Sequence, residues 1–205
     1  MTTEPLARQT KFYIDPKGIP FMSASSLRDN LLIAMPSLHD TQFAQTVIYL
    51  CTHNEDGALG IIINQPTDFH LTDVLASLDI KTPSSETHNI FHGGPVSKQR
   101  GFVLHPAGQC WDATLDMNAS LSITTSSDIL KDLAQGDGPK QSLIALGYAG
   151  WVPGQLEKEM QTNAWLTSPV DNRLLFETSP DQRWQAAGEL LNIDIKHIST
   201  QYGHA

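Results

Sequence analysis

Residues 146–160, LGYAGWVPGQLEKEM, concentrate side chains that can do chemistry in this chain of 205 residues. The stretch combines three glycines with two aromatic rings, an amide and two carboxylates. Tyr148 and Trp151 are suited to the apolar floor of a binding site, and Gln155 with Glu157 to its polar, specificity-giving edge. Glu157 would act as a general base only if burial raised the pKa of its carboxyl.

A second stretch, HGGPV at 92–96, contains two consecutive glycines whose backbone N–H groups can point into a concavity. Such donors stabilise the oxyanion of acyl transfer, but no nucleophile is identifiable to accompany them. The alternative is a tight turn in which Gly93 and Gly94 take positive φ and Pro95 starts the next strand. We favour the turn and keep the ligand-facing loop open.

The histidines and the known cofactor motifs give no sign of a metal or cofactor. His88 and His92 have the spacing of helical metal ligands, but their neighbours favour loop and strand, so we expect no metal. The chain has no Gly-x-Ser-x-Gly, Walker A, His-Glu-x-x-His or complete Gly-x-Gly-x-x-Gly motif, so we expect no cofactor. Four further histidines stand singly at the ends of apolar runs, as structural histidines do: His39, His53, His70 and His105.

Charge and composition narrow the class of protein. Thirteen basic and 22 acidic residues give a net charge of −9, which repels phosphate backbones and makes direct nucleic-acid contact improbable. No apolar run approaches the ~20 residues that cross a bilayer, so we expect no membrane contact. Cys51 and Cys110 lack Cys-x-x-Cys spacing, and the N-terminus lacks the apolar core of a secretory signal. The expected location is the cytoplasm.

Hydrophobic periodicity predicts more strands than helices. Residues 1–26 are expected to form a tail and 82–89 a polar loop. Helices are predicted at 71–78, 125–134, 154–166 and 179–191, the last with Ser179 as its N-cap. Strands are predicted at 31–35, 46–53, 58–66, 90–96, 101–108, 121–123, 142–151 and 174–177. Because helices do not follow every strand, the pattern favours one α+β domain with a mixed sheet.

Several motifs, taken in order, resemble the AlgH/YqgE family of bacterial proteins. They are LLIAMPSLHDTQFAQTVIYLCTHNEDGALGIIINQP, HGGPVSKQRGFVLH, LGYAGWVPGQLEKEM, NAWL and the closing YGHA. The resemblance covers about 27–205 and implies an α+β domain with a bifurcated, barrel-like mixed sheet flanked by helices. Some members are described as transcriptional regulators associated with alginate production. The family brings no enzymatic activity and no cofactor with it.

We therefore expect a non-catalytic, cytoplasmic regulatory or adaptor protein that binds a protein partner or a small ligand. Its site is predicted to be a hollow shared by the glycine turn and the tryptophan bend. One alternative is a hydrolase or transferase using the His92 loop and Glu157, and another is a regulator that binds DNA directly. The candidate binding residues are Asn64, Pro66, His92, Gly93, Gly94, Pro95, Tyr148, Trp151, Gln155 and Glu157.

Overall fold

The structure, a computed structural model, describes residues 26–38, 40, 42–80 and 88–198. The predicted tail 1–26 lies outside the described residues except for Ser26, as does the polar loop 82–89 except for its last two residues. The closing YGHA also lies outside them. The statements below concern the described residues.

Strands and short helices alternate irregularly along the chain. The strands are β1 (Asn30–Ala34), β2 (Val47–Asn54), β3 (Gly57–Ile62), β4 (Pro66–His70), β5 (Asn89–His92), β6 (Val96–Pro106), β7 (Thr114–Asp116), β8 (Leu121–Thr124), β9 (Leu143–Trp151) and β10 (Trp165–Pro169). The α-helices are α1 (Leu71–Ser77), α2 (Asp128–Gln135), α3 (Gln155–Gln161), α4 (Asn172–Phe176) and α5 (Arg183–Glu189), followed by a 3-10 helix (Ile195–His197). Within the described ranges, no helix is long and apolar enough to cross a membrane.

The strands form one curled, half-barrel sheet in the order β10-β1-β2-β3-β9-β6-β8-β7, with β4 and β5 attached as a branch on β9. The paired strands are antiparallel except for β5 and β9, which run parallel. This arrangement confirms the predicted α+β domain with a mixed, bifurcated and barrel-like sheet flanked by helices.

The sheet divides at β9, which changes partners midway along its length. Residues 144–146 pair with β5 and residues 149–151 with β3, while β6 takes the other edge. Gly93 joins the two branches through its backbone. Its N–H donates to the carbonyl oxygen of Leu146 (2.8 Å), and its own carbonyl oxygen accepts from the N–H of Ile62 (2.9 Å).

Three glycines, which we call the glycine fork (Gly93, Gly94 and Gly147), permit the close backbone approach at this division. A Cβ on Gly93 would overlap the carbonyl oxygen of Gly147, and a Cβ on Gly94 would overlap the backbone of Tyr148. Gly94 and Gly147 also take positive φ values, 150° and 77°. The expected positive φ is thus found at Gly94 but not at Gly93, where glycine is required only because of steric overlap.

Gly147 also shifts the alternation of side chains along β9. Ala145 and Tyr148 both pack toward the core inside the curl, although strict alternation would place residues three apart on opposite faces. The left-handed Gly147 lies between them, where the pairing with β6 is also irregular. Leu146 and Trp151 consequently face the convex side of the sheet, where they join two different hydrophobic cores.

Helices close the three hydrophobic cores of the described chain. α4 and α5 fill the inside of the curl with residues such as Trp184. Leu156 of α3 packs against the convex face that carries Trp151, and Leu130 of α2 packs with α1 against the convex face of the other branch. Each fully buried apolar side chain contributes about 1.5–3 kcal/mol relative to an exposed one.

The strand predicted at 174–177 is wrong, because these residues belong largely to α4. Asp171 caps this helix by accepting hydrogen bonds from the N–H groups of Arg173 (2.7 Å) and Leu174 (3.2 Å). Leu174 and Leu175 are buried against the core inside the curl. The apolar pair that indicated a strand is therefore the buried face of a short helix.

Three predicted helix boundaries also differ from the structure. The helix predicted at 125–134 begins at Asp128, after Ser127 in the N-cap position. α3 ends at Gln161, because Asn163 takes a positive φ of 56° and the chain turns into β10. Ser179 is not the N-cap of α5. It belongs to a preceding turn, where its carbonyl oxygen accepts from the N–H of Gln182 (3.0 Å), and the helix begins at Arg183.

Gly93→Ala is expected to lower the free energy of unfolding by about 2–3 kcal/mol, since the added Cβ overlaps backbone that is held by the fork. Urea denaturation monitored by tryptophan fluorescence measures this change. Gly101→Ala is the matched control, because a Cβ there meets nothing within 4 Å and its φ is not positive. Its effect is expected to stay within about 0.5 kcal/mol. Equal losses for the two variants would contradict the role of the fork.

Candidate functional site

The segment 92–95 is built into the sheet. The N–H of Gly93 is bonded to Leu146, so this donor is not free to stabilise an oxyanion. Pro95 is half-buried and leads directly into β6. β5 ends at His92 and β6 begins at Val96, and the two strands pair with opposite edges of β9. The segment is therefore a crossing connection with a bend at Pro95 and a positive φ at Gly94 but not at Gly93, which differs from the tight turn favoured from the sequence. The glycines serve the close packing of backbones.

His92 lies on the convex side of the sheet beside Leu146, its cross-strand partner on β9. Its backbone N–H donates to the carbonyl oxygen of Gln65 (2.8 Å). Burial lowers the pKa of the imidazole, and the nearby Lys98 lowers it further. The ring is therefore neutral at pH 7 and faces a region with a positive charge.

Asn64 and Pro66 occupy structural positions next to the fork. The Asn64 side chain accepts from the N–H of Val47 (2.8 Å) and donates to the carbonyl oxygen of Gln45 (2.9 Å). It thereby holds the loop in which Gln45 takes a positive φ of 55°. Pro66 is exposed at the start of β4, opposite Phe91 of β5.

Trp151 is a core residue rather than an exposed binding ring. It is 7% exposed and packs edge-to-face against Trp165, with ring centroids 6.1 Å apart. Both indole N–H groups donate to one carboxylate oxygen of Glu159, at 2.9 Å from Trp151 and 2.8 Å from Trp165. Glu159 therefore anchors α3 to β9 and β10.

Gln155 completes the same hydrogen-bond cluster. Its amide nitrogen donates to the second oxygen of Glu159 (2.9 Å), and its amide oxygen accepts from the N–H of Val152 (3.1 Å). The sequence prediction included Gln155 but missed Glu159. The available signal was the spacing of four residues between Trp151, Gln155 and Glu159, which places an acceptor one helical turn beyond the amide.

Glu157 accepts a hydrogen bond from a histidine that the sequence did not link to it. Its carboxylate lies 2.8 Å from Nε2 of the buried His53, whose Nδ1 accepts from the N–H of Leu27 (2.9 Å). A bond from a backbone N–H requires an unprotonated Nδ1, so the neutral ring donates from Nε2. The pair connects α3 to β2 and to the chain before β1.

The pKa of Glu157 is lowered, first by a hydrogen bond from its own backbone N–H and then by that from His53. The enzyme alternative required the opposite shift, because a general base at Glu157 needs a raised pKa. The paired carboxylate is thus poorly suited to take up a proton at neutral pH. The structure also pairs Glu157 with His53 and not with His92.

Tyr148 lies in an open depression of about 520 Å³ at the end of β9, which we call the corner groove. Its ring is half-buried and packs edge-to-face against Phe102, with centroids 6.1 Å apart. Val96 and Val152 flank it and are 39% and 68% exposed. Asn54 and Asp56 from the β2–β3 hairpin supply polar atoms at the same groove.

The structure brings Tyr148 and Trp151 to the corner groove, but His92, Gln155 and Glu157 do not line it. The hollow predicted to join the glycine turn with the tryptophan bend therefore has a different lining. Of the predicted candidate residues, the corner groove includes only Tyr148 and Trp151. The fork places His92 on the convex face of one branch, and α3 holds Glu157 against His53. Within the described part of the chain, no group of three His, Cys, Asp or Glu residues is placed to hold a metal ion.

A protein-family comparison matches residues 31–196 to the family described as AlgH-like. The chain belongs to the AlgH-like family. This result confirms the resemblance proposed from the motifs. The family is one of uncharacterised proteins without an established specific function.

Relatives and solved structures agree with this assignment. The UPF0301 protein of Thioalkalivibrio sulfidiphilus is 49% identical over 184 residues, which cover 89% of this chain and 99% of the relative. That of Methylococcus capsulatus is 46% identical over 183 residues, covering 88% and 97%. The solution structure of AlgH from Pseudomonas aeruginosa is 44% identical, with a TM-score of 0.74 over 91% of this chain and 100% of that chain. A crystal structure of a protein from Corynebacterium diphtheriae, 20% identical with a TM-score of 0.62 over 78% of this chain and 84% of that chain, shares the fold.

Glu159→Ala is expected to lower the free energy of unfolding by about 3 kcal/mol, because two buried indole N–H groups lose their acceptor. Glu159→Gln keeps one acceptor oxygen, so its free energy of unfolding should fall by less. Thermal and urea unfolding measure both. The control is Glu189→Ala on the exposed end of α5, where the carboxylate accepts only from Gln185 and the change should stay within about 0.5 kcal/mol. An equally small change in the free energy of unfolding for Glu159→Ala would show that the packing of the two indoles does not need this carboxylate.

Acidification should lower the free energy of unfolding, partly because Glu157 becomes protonated. A carboxyl with a lowered folded-state pKa contributes stability above its unfolded pKa of about 4.3, and that contribution is lost as pH falls through the folded pKa. In Glu157→Gln, stability should therefore fall less steeply below about pH 4.5. Unfolding free energies measured from pH 6 to pH 3 test this, with Glu189→Gln as the control. Parallel curves for wild type and Glu157→Gln would rule out the proposed contribution.

Proposed function

We propose that this AlgH-like protein is a non-catalytic, cytoplasmic regulatory or adaptor protein that binds a protein partner at the corner groove. The observation that carries this proposal is the exposure of Val96 and Val152 on either side of the Tyr148 ring. Exposed apolar side chains grouped in a depression and edged by polar residues are typical of interaction sites. Tyrosine is also enriched among the residues that dominate binding energy.

The groove favours a partner segment with an apolar side chain next to a basic one. Leu59, Val96, Tyr148 and Val152 present apolar surface for the first of these. Asp56 supplies a carboxylate at the same groove for the second, and the chain as a whole carries a net charge of −9. A regulatory effect on transcription would then pass through a protein partner, because an acidic surface repels DNA.

The hydrogen bonds of the motif residues support binding over catalysis. The enzyme alternative uses the Gly93 N–H as oxyanion donor and Glu157 as base, but these groups bond to Leu146 and His53. Glu159 accepts from two indoles. A cytoplasmic location is supported by Cys51 and Cys110, which are both free thiols.

Val152→Asp is expected to reduce partner recovery at least tenfold, since a desolvated carboxylate in an apolar contact costs more than about 1.4 kcal/mol. The measurement is a native pull-down from bacterial lysate, quantified by mass spectrometry, followed by titration of the recovered partner against purified protein. Val152 is 68% exposed, so the variant should fold as wild type does.

Leu115→Asp is the matched control, because Leu115 is 55% exposed on β7 and does not line the groove. Partners that bind the groove should be retained by Leu115→Asp and lost by Val152→Asp. Equal recovery by both variants would place the binding surface elsewhere. Trp151→Ala is unsuitable for this test, because it removes a buried ring and leaves part of the Glu159 cluster unpaired.

A further inference from the structure

A second depression, which we call the outer cavity, lies on the convex face of the branch that carries β5 and β6. Its volume is about 550 Å³, within the range of small-molecule sites. The C-terminal part of α1, strands β6 and β9, and the loop that enters α2 form its walls. The outer cavity and the corner groove have no lining residue in common.

The floor and one wall of the outer cavity are apolar. Val103, Ile144 and Leu130 form the floor and belong to the buried core beneath. Leu78 at the end of α1 is 46% exposed, although its side chain lines the cavity. This wall thus offers apolar surface that the protein's own side chains leave uncovered, as a site for an apolar ligand body does.

The rim opposite this floor is polar and carries positive charge. Lys98 is the single charged side chain among the residues described as lining the cavity, in a protein with a net charge of −9. No carboxylate of the described residues lies within ion-pair distance of Lys98. His92 lies beside the lining residue Leu146, and Lys98 is close enough to lower the pKa of its imidazole. Among the described residues, none is placed to neutralise the ammonium of Lys98, so it can meet an anion from outside.

The hydroxyl group of Ser127 supplements the lysine at the rim. Ser127 is the N-cap residue of α2 but makes no capping hydrogen bond with its side chain. Ser126 accepts a bond from the N–H of Ala113 (3.0 Å) and hydrogen-bonds through its hydroxyl to the carboxylate of Asp128, so its proton is already used within the protein. The carboxylate of Asp128 accepts from Asp112 (2.8 Å) and does not line the cavity.

We propose that the outer cavity binds a small amphipathic anion, with the apolar body against α1 and β9 and a single carboxylate or phosphate head on Lys98. Charge complementarity selects the anion, because the ammonium of Lys98 has no carboxylate partner among the described residues and the rest of the described lining is uncharged. The limited volume of the cavity favours a body of roughly ten carbons over an extended peptide or a nucleic acid. This site is independent of the partner proposed for the corner groove.

The chain offers a variant that fills this cavity without disturbing the fold. A Cβ on Gly101 meets nothing within 4 Å, and Gly101 both lines the cavity and pairs with Leu146, so a side chain there points into the open space. Gly101→Leu should therefore fold with a melting temperature close to that of wild type and occupy the volume needed by the ligand body.

Three ten-carbon probes separate the contributions of body and head: decanoate, decyl phosphate and uncharged decanol. In calorimetric titrations of the full chain, at least one of the two anions is expected to bind at least tenfold more tightly than decanol. The head preferred by the site is given by whichever anion binds more tightly. Lys98→Met should reduce the affinity for the anions about tenfold and leave that for decanol unchanged. Lys140→Met, a lysine outside the cavity, should change neither.

Gly101→Leu should abolish binding of all three probes while the melting temperature is retained. The proposal is overturned if neither anion binds wild type at millimolar concentration, or if Lys98→Met and Lys140→Met bind the anions equally. Undiminished binding by a folded Gly101→Leu would also overturn it. Should Gly101→Leu fail to fold, the comparison of Lys98→Met with Lys140→Met decides alone. The probes do not test the corner groove, so failure here leaves the partner proposal standing.

Discussion

The backbone contact among Gly93, Gly94 and Gly147 is the constraint on which the rest of the structure depends. At this point β9 stops pairing with β5 and begins to pair with β3. The two branches of the sheet must therefore share backbone hydrogen bonds within a space that no Cβ can enter. The two bonds of Gly93 connect β9 with β3 across the division. The curl of the sheet, and with it the core inside the curl, follows from the way these branches diverge.

The fork also separates the two surfaces where we place binding. Leu146 precedes Gly147 and lines the outer cavity, whereas Tyr148 follows it and lines the corner groove. One left-handed residue thus directs adjacent side chains to different faces of the molecule. The polar residues of the LGYAGWVPGQLEKEM stretch do not form either binding surface. Glu159 binds two tryptophans and Glu157 binds His53, and these contacts anchor α3. The density of chemistry-bearing side chains in this stretch reflects the anchoring of a short helix.

Hydrophobic patterns predicted the fold class and most elements, because a long apolar run such as that of β9 and an amphipathic period such as that of α1 are each compatible with few structures. The hydrophobic pattern failed at Leu174 and Leu175, because a short apolar pair is equally compatible with a strand and a helix. The hydrogen bonds accepted by the N-cap residue Asp171 favour the helix. The site was harder to predict. His92 and Trp151 were grouped because both lie in glycine-rich motifs, but the faces of the sheet on which they lie depend on the φ of Gly147 and on pairing across distant strands. The partner of Glu157, His53, lies 104 residues away, and no local pattern reports such a contact.

Amide hydrogen exchange at Gly93 and Ile62 tests the central claim most directly. If the fork holds the branches together, both amides should exchange only through global unfolding, with protection equal to that of Tyr49 in the centre of the sheet. Exchange of Gly93 and Ile62 through local opening, at rates orders of magnitude faster than that of Tyr49, would contradict it. The branches would then be held by their separate cores and not by the glycine contact.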